Sequence, residues 1–212
     1  DPGTGWDVPP GILHAPGSLC TFEPQKASDV YAMYQSVVNH QVVPTELLWK
    51  DCPEDKIGDF DYLIEVLDWE ANVDPNFVEN HFMEPKSCFG SAEEVEENGY
   101  DEKWICYRNE AYSATEVTVL PGRTVTIKNA GCYGMIMMQG HGTMGASHIE
   151  TPTMIRFGQL THDEYFVTES TAQAGVTITN PSPTKQTLSN PNFKTRDFII
   201  LISSLYPPSS IT

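Results

Sequence analysis

Three histidines and one glutamate in the second half of the chain are the residue types best suited to chemistry. His141, His148 and His162 supply imidazole nitrogens, and Glu164 supplies a carboxylate close behind the last of them. His148 and Glu150 share strand parity, so in a strand both side chains point to one face. Divalent metals accept such nitrogen and oxygen donors and polarise the oxygens bound to them. His148, His162 and Glu164 are therefore candidate metal ligands; the alternative interpretation is ordinary turn and loop residues.

A second candidate lies near the start of the chain. His14 follows the turn Pro9-Pro10-Gly11, which could hold an imidazole at the mouth of a barrel. Glu23 lies nine residues further on. We treat His14 as a candidate metal ligand and Glu23 as a candidate catalytic base. The alternative is a loop histidine and a surface glutamate.

The charge balance argues against two classes of partner. The chain of 212 residues has 29 acidic and 12 basic residues, a formal net charge of −17. A surface of this sign repels phosphate backbones and anionic lipid headgroups. No apolar run reaches the roughly 20 residues of a membrane-spanning helix. We therefore expect no nucleic-acid partner and no membrane partner.

The cysteines indicate a reducing environment. Five cysteines are scattered through the chain without a C-x-x-C pair. A disulfide framework favours an even number in a shorter chain. The start has neither the basic region nor the apolar stretch of a secretory signal. We therefore expect free thiols and a cytoplasmic location.

Helical spacing of apolar residues is confined to the first half of the chain. It predicts a helix over 28–39, a second over about 59–71, and a short third helix from Pro75 through Val78. Residues 84–101 are polar and acidic, which is typical of a loop or linker.

From residue 103 the pattern becomes that of β-structure. Alternation of apolar and polar residues predicts short strands at 104–107, 116–120, 123–128, 143–150, 153–157, 164–168 and 175–179. The nearly continuous apolar run 133–138 predicts a strand buried on both faces, with a hairpin turn at 140–142. Many short strands separated by Gly and Pro are typical of an antiparallel sandwich or barrel.

Two motifs resemble those of cupins. Pro121-Gly122, a strand, a buried strand and then Gln139-Gly140-His141-Gly142 resemble the first half of a cupin barrel. The proline-glycine-histidine run at 10–14 resembles the second cupin motif, P-x-G-x-x-H. Over most of residues 6–180 the chain is similar to the C-terminal portion of a two-cupin, phosphomannose-isomerase-like protein.

The resemblance implies a mainly β fold, a cupin-like antiparallel barrel or jelly roll preceded by a small helical insert. In this interpretation the domains are the remnant of a first barrel over 1–24, a helical insert with an acidic linker over 25–102, a second barrel over 103–205 and a tail over 206–212. A homodimer is also an expectation from the family.

The resemblance also implies a divalent metal (Zn, Mn, Fe or Ni), but this chain departs from the family's ligand pattern. Aligning the turn at 140–142 places the H-x-H pair and the glutamate at Ile127, Asn129 and Tyr133, and the late histidine near Val176. None of these is a good metal ligand. The sequence therefore predicts a degenerate metal site in the C-terminal barrel, which leaves open that this chain holds no cofactor.

The apolar run 198–202 has two interpretations. It is either the closing strand of the barrel or a divergent tail, which would then be an exposed aggregation hazard.

Three functional hypotheses follow. The first is a metal-dependent isomerase acting on a sugar or sugar phosphate, active only with the upstream half present. The second is a non-catalytic domain that binds carbohydrate or serves as a dimerisation scaffold. The third is an inactive truncated fragment.

Overall fold

The structure, a computed structural model, describes residues 3–15, 17, 21–26, 30–154, 156–183 and 198–204. The chain divides into two compact units. The β unit consists of Asp1–Asp7 and Met83–Thr212, and the small unit consists of Val8–Phe82. None of the helices formed by the described residues is long and apolar enough to cross a membrane.

The secondary structure is dominated by short strands. In chain order the strands are β1 (Gly5–Trp6), β2 (Val37–Val38), β3 (Gln41–Val42), β4 (Phe82–Met83), β5 (Lys86–Ser87), β6 (Tyr100–Cys106), β7 (Ser113–Val119), β8 (Thr124–Ile127), β9 (Tyr133–Met144), β10 (Ser147–Thr151), β11 (Glu164–Val167), β12 (Val176–Thr179) and β13 (Ile199–Ser204). The α-helices are α1 (Phe60–Glu65), α2 (Trp69–Asn72), α3 (Phe77–His81), α4 (Ala92–Asn98) and α5 (Glu169–Ala174).

A single curled antiparallel sheet forms the β unit. Nine strands take part, in the order β5-β6-β7-β13-β9-β12-β8, with β10 and β11 also paired to β9. The first half of β9 pairs with β13 and β11, and its second half pairs with β10 and β12. The sheet therefore folds over at β9 into a half-barrel. The fold class expected from the sequence, mainly β with a cupin-like jelly roll, is confirmed.

The apolar run near the end of the chain is the central strand of this sheet. β13 pairs with β7 on one side and with β9 on the other. Ile200 and Ile202 lie in the buried core cluster, and Phe198 just before the strand is fully buried there. Of the two interpretations that the sequence left open, the structure supports the closing strand.

Strand β9 is bent by a β-bulge. Ile199 of β13 pairs with Gln139 and Ile200 pairs with Met137, so Met138 is the extra residue. Before the bulge Tyr133, Met135 and Met137 point into the core; after it the inward position passes to Gly142. The expectation that 133–138 is buried on both faces was wrong, because burial alternates along these residues.

The predicted hairpin turn at 140–142 was also wrong. These residues lie inside β9, and the turn comes at Gly145 and Ala146, since Met144 pairs directly with Ser147. Gly140 has a φ of 103°, which glycine adopts without steric cost and which continues the bend. Gly142 is required for a different reason. A Cβ there would meet the Thr179 carbonyl oxygen and lie 2.6 Å from the Phe198 ring.

In the small unit the observed secondary structure differs from the helices predicted from the sequence. Residues 30–36 form no helix; the backbone N–H of Tyr31 donates to Asp51 at 2.7 Å and that of Met33 donates to the Leu47 carbonyl at 3.0 Å. These long-range partners replace the hydrogen bonds of the helix predicted over 28–39, of which 28 and 29 lie outside the described residues. The window 59–71 contains two helices, because Asp68 caps the start of a second one.

The acidic segment 84–101 is not a loop. Ser91 accepts a hydrogen bond from the backbone N–H of Glu94, and Gly99 ends the helix α4 in the left-handed conformation. The Glu94 carboxylate accepts from the backbone N–H of Gly90. Negative side chains at the start of a helix are stabilising. The Ser-x-x-Glu signal with a following Gly was present in the sequence and outweighs the polar composition. The predicted strand at 153–157 is likewise absent from its described residues.

The two glycines of β9 allow a matched test of this packing. We expect Gly142→Ala to lower the free energy of unfolding by about 1–3 kcal/mol, because a methyl group there overlaps the Phe198 ring and the Thr179 carbonyl. Gly134→Ala in the same strand has nothing within 4 Å of its new Cβ. Denaturant unfolding of both variants measures the difference. Equal stability of the two variants would contradict the proposed packing.

Candidate functional site

The positions that align with the metal ligands of cupins lie in an apolar interior. Ile127, Tyr133 and Val176 all belong to the buried core cluster, and Val176 pairs directly with Ile127. The Asn129 side chain accepts a hydrogen bond from the backbone N–H of Gly131 at 3.2 Å. A divalent metal needs converging nitrogen or anionic oxygen donors. These residues do not fit the family's metal.

One end of the interior carries buried hydroxyl groups. Ser204 of β13 pairs with Ser113 of β7 and with Tyr133 of β9, so the three residues form a row across the sheet. Tyr133 Oη and Ser204 Oγ are buried and have no hydrogen-bond partner among the described residues. Burial raises the pKa of Tyr133 to about 12. The Tyr133 phenol therefore stays neutral at physiological pH, which disfavours it as a metal ligand.

A carboxyl group of β6 is also withdrawn from solvent. Glu102 lies opposite Val117, whose side chain is in the core. Desolvation raises the pKa of Glu102, while a hydrogen bond from Thr115 opposes the shift. Partial burial and the nearby Glu102 raise the pKa of Cys88 to about 12, which leaves the thiol protonated. A protonated thiol is a poor nucleophile, so Cys88 is not suited to covalent catalysis.

The raised pKa of Glu102 leads to a prediction about the free energy of unfolding. A carboxyl group whose pKa is higher in the folded state opposes folding once the pH rises above its unfolded value. We therefore expect Glu102→Gln to increase the free energy of unfolding by about 0.5–2 kcal/mol at pH 7, because an amide oxygen still accepts from Thr115. The gain disappears as the pH falls below about 4.5, the ordinary pKa of a glutamate side chain.

Thermal unfolding of Glu102→Gln from pH 4 to pH 8 measures this effect. Glu97→Gln is the control, because it removes the same charge from an exposed position in α4. The control allows for the general relief of repulsion in a chain of net charge −17. An equal gain in both variants would show that burial of Glu102 has no role.

The two candidates near the start of the chain are surface residues of the small unit. His14 is exposed, and its Nδ1 lies 2.9 Å from the Ile12 carbonyl oxygen. Glu23 is also exposed. The roles of His14 as metal ligand and Glu23 as base stay predictions.

The histidines of the second half lie around one carboxylate, which is Glu150. His148 Nε2 is 3.1 Å from Glu150 Oε2. His141 stands directly opposite Glu150 in the β9–β10 pair, and the backbone N–H of Glu150 donates to the His162 carbonyl. The rings of His148 and His162 have centroids 5.8 Å apart. We call these four residues, His141, His148, Glu150 and His162, the histidine cluster.

The electrostatics of the histidine cluster centre on Glu150. The hydrogen bond from His148 lowers the pKa of Glu150, and the nearby imidazoles of His148, His162 and His141 lower it further. Both partners of the close pair are solvent-exposed, with 51% of the His148 side chain and 42% of the Glu150 side chain accessible. Glu150 is thus a carboxylate at neutral pH and is hydrogen-bonded to His148.

The structure therefore gives the histidines a different carboxylate partner from the one chosen in the sequence analysis. Glu164 lies on β11 opposite Ile136 of β9. Strand parity pointed to Glu150 through His148, but only the pairing of β10 with β9 brings His141 to it. As placed, no group of three or more His, Cys, Asp or Glu within the described part of the chain could hold a metal ion.

Comparisons with known proteins show little similarity. No protein-family model matches the sequence, and no curated protein matches it. One chain in the crystal structure of the complex of Rhodobacter sphaeroides SigE with the anti-sigma ChrR resembles this one, at 12% sequence identity and a TM-score of 0.35. The match covers 50% of this chain and 44% of that chain. A likeness of this size carries no argument about function.

Proposed function

We propose that this chain is a non-catalytic, cupin-like protein-binding domain. Its contact surface is the apolar loop, which we define as the exposed residues Met154, Phe157 and Leu160 between β10 and β11. The observation that carries the proposal is the exposure of Phe157 and Leu160, at 108% and 91% of their reference areas. Aromatic and aliphatic side chains displayed in this way are typical of protein contact sites.

A turn holds Phe157 at the tip of the loop. The backbone N–H of Gln159 donates to the Arg156 carbonyl at 3.1 Å, and Gly158 has a φ of 76°. Turn tips ordinarily carry Gly, Asn, Asp or Ser, whose side chains are compatible with water. An aromatic ring at this point contributes nothing to the folded core, and contact with another molecule would remove it from water. Phe166 on strand β11 is also 69% exposed.

The charge of the chain favours a basic partner. The net charge is −17, and residues 129–183 contain one arginine, Arg156, against four acidic residues. The negative electrostatic potential of such a surface attracts a partner with a basic surface and accelerates their association at low salt. It also opposes contact between two copies of this chain. We therefore commit to a different protein, with an apolar cleft bordered by Lys and Arg.

Metal-dependent sugar isomerisation is the alternative that the resemblance implies. That chemistry needs a metal to polarise adjacent oxygens and a base to move a proton between carbons. In this chain the ligand positions are occupied by residues such as Ile127 and Val176, which donate to no metal. Isomerase activity that is lost on His14→Ala or Glu23→Gln would restore the isomerase hypothesis. Carbohydrate binding without catalysis stays a hypothesis that sugar titration tests.

The partner-binding surface is tested by site-specific photo-crosslinking. A photoreactive phenylalanine analogue replaces Phe157 in the full chain, and the crosslinked protein is identified, purified and titrated. We expect Phe157→Ser to weaken its binding by about 2 kcal/mol or more, as for a central aromatic contact. Association should also slow as the salt concentration rises.

A matched control distinguishes specific binding at this surface from non-specific hydrophobic binding. Val30, in the small unit, is 81% exposed, and the analogue at position 30 should not capture the same protein. Crosslinking only to a second copy of the chain, or equal affinity of wild type and Phe157→Ser, would overturn the proposal.

The same variants carry a stability prediction. Because Phe157 and Leu160 bury almost none of their surface, we expect Phe157→Ser and Leu160→Ser each to change the free energy of unfolding by less than about 0.5 kcal/mol. Denaturant unfolding measures this change. A larger loss would mean that these side chains pack within the chain and are not available to a partner.

A further inference from the structure

We propose that the small unit binds a basic amphipathic helix of a different protein. The binding surface is the aromatic patch, which we define as Trp49, Phe60, Ile64 and Trp69. All four residues belong to the small unit, so this surface is distinct from the apolar loop of the β unit. The inference goes beyond the proposed function and does not depend on it.

Helix α1 exposes apolar side chains to solvent. Phe60 and Ile64 lie one helical turn apart and are 63% and 52% exposed, whereas Leu63 is buried. A surface helix ordinarily buries its apolar stripe and presents polar residues to water. The stripe formed by Phe60 and Ile64 is therefore a surface of the kind that marks a site of contact with another protein.

Two tryptophans extend this stripe into a continuous patch. The rings of Trp49 and Phe60 pack edge to face, with centroids 5.1 Å apart. Trp69 is 49% exposed, and its Nε1 donates to the Ile64 carbonyl at 2.9 Å. Tryptophan is among the residues that contribute most to binding at protein interfaces. The four residues thus form one surface and are not scattered exposed side chains.

Local hydrogen bonds fix the backbone beneath the aromatic patch. Asp59 accepts from the backbone N–H of Tyr62 at the start of α1, and Asp68 accepts from that of Ala71 at the start of α2. The hydrogen bond from the Trp69 indole also limits rotation of its ring. A surface that is ordered before binding loses less conformational entropy when the partner arrives.

The charges around the aromatic patch determine the sign of the partner. Residues 54–74 contain eight acidic residues and one basic residue, Lys56, whose Nζ lies 3.2 Å from Asp59 Oδ2. Asp61 and Glu65 are exposed on α1 itself. Lys and Arg at the borders of an apolar helical stripe complement such a surface, as charges beside the apolar seam do in coiled coils. An anionic membrane or a second copy of this chain has the wrong charge.

The start of α2 carries an acidic groove as well as part of the aromatic patch. Asp68 and Glu70, on either side of the last patch residue in the sequence, line an open groove of about 590 Å³ together with Asp74. Hydrogen bonds from the Asn76 backbone and the Asn80 side chain lower the pKa of Asp74, so this carboxylate is ionised at neutral pH. The groove therefore suits a Lys or Arg side chain of the bound helix.

Peptide titration of the full chain tests the surface. The probe is a fluorescently labelled peptide of about 18 residues that places leucines on one helical face and lysines on the other. We expect this peptide to bind, and we expect Phe60→Ser to weaken its binding by about tenfold or more. Ile64→Ser should act in the same direction. Phe157→Ser is the matched control, because it removes an exposed aromatic ring from the β unit and should leave the affinity unchanged.

A second pair of variants tests the charge complementarity. Glu65→Lys and Glu97→Lys change the net charge equally, but Glu65 lies on α1 whereas Glu97 is exposed on α4. We expect Glu65→Lys to weaken peptide binding about threefold more than Glu97→Lys does. A scrambled peptide of the same composition, whose leucines share no helical face, should bind more weakly than the amphipathic peptide.

Several results would overturn the proposal. These are equal binding of the scrambled peptide, equal affinity of wild type and Phe60→Ser, or binding of a peptide with Glu in place of Lys. A loss with Phe157→Ser but not with Phe60→Ser would assign the peptide to the apolar loop, which would support the proposed function and reject this surface. Self-association that Phe60→Ser abolishes would show that a second copy covers the aromatic patch instead. Circular dichroism of each variant checks that the fold is retained.

Discussion

The fold of the β unit depends on the two-sided pairing of β13, because this strand fills the gap between β7 and β9. Without it, the backbone groups of both neighbours would lose their partners, and buried unpaired groups are costly. Its inward residues Ile200 and Ile202, together with Phe198 before the strand, complete the core. The sheet therefore closes only when residues far apart in the chain meet, which makes the fold one of high contact order.

A second constraint is the continuity of β9 through both halves of the curled sheet. The bulge at Met138 changes which side chains point inward. After the bulge a glycine, Gly142, takes the inward position, and the histidine before it is left on the outer face. The packing of Phe198 against Gly142 and the exposure of His141 are thus two consequences of one backbone bend.

The side chains suited to binding another molecule lie on the surface of the β unit and not in its interior. The interior holds aliphatic residues with hydroxyls at one end, and two of those hydroxyls lack partners among the described residues. Such an interior is suited to stability and not to holding a divalent ion. His141, His148 and Glu150 lie on the outer face of the β9–β10 hairpin instead, and the loop after β10 carries exposed Phe157 and Leu160. The protein-binding surface that we propose is accordingly on the outside of the β unit.

The sequence alone determined the mainly β class and most strand positions, because period-two alternation and Gly or Pro turns are local signals. It also named His148, His162 and Glu164 as candidate metal ligands, and it placed Glu150 on the same strand face as His148. Tertiary structure decided the rest. The helix predicted over 28–39 was replaced by long-range hydrogen bonds, and the bulge in β9 turned a predicted hairpin at 140–142 into strand interior. Which carboxylate joined the histidines depended on the register of β10 against β9, and register is set by pairing between distant segments that no local pattern encodes.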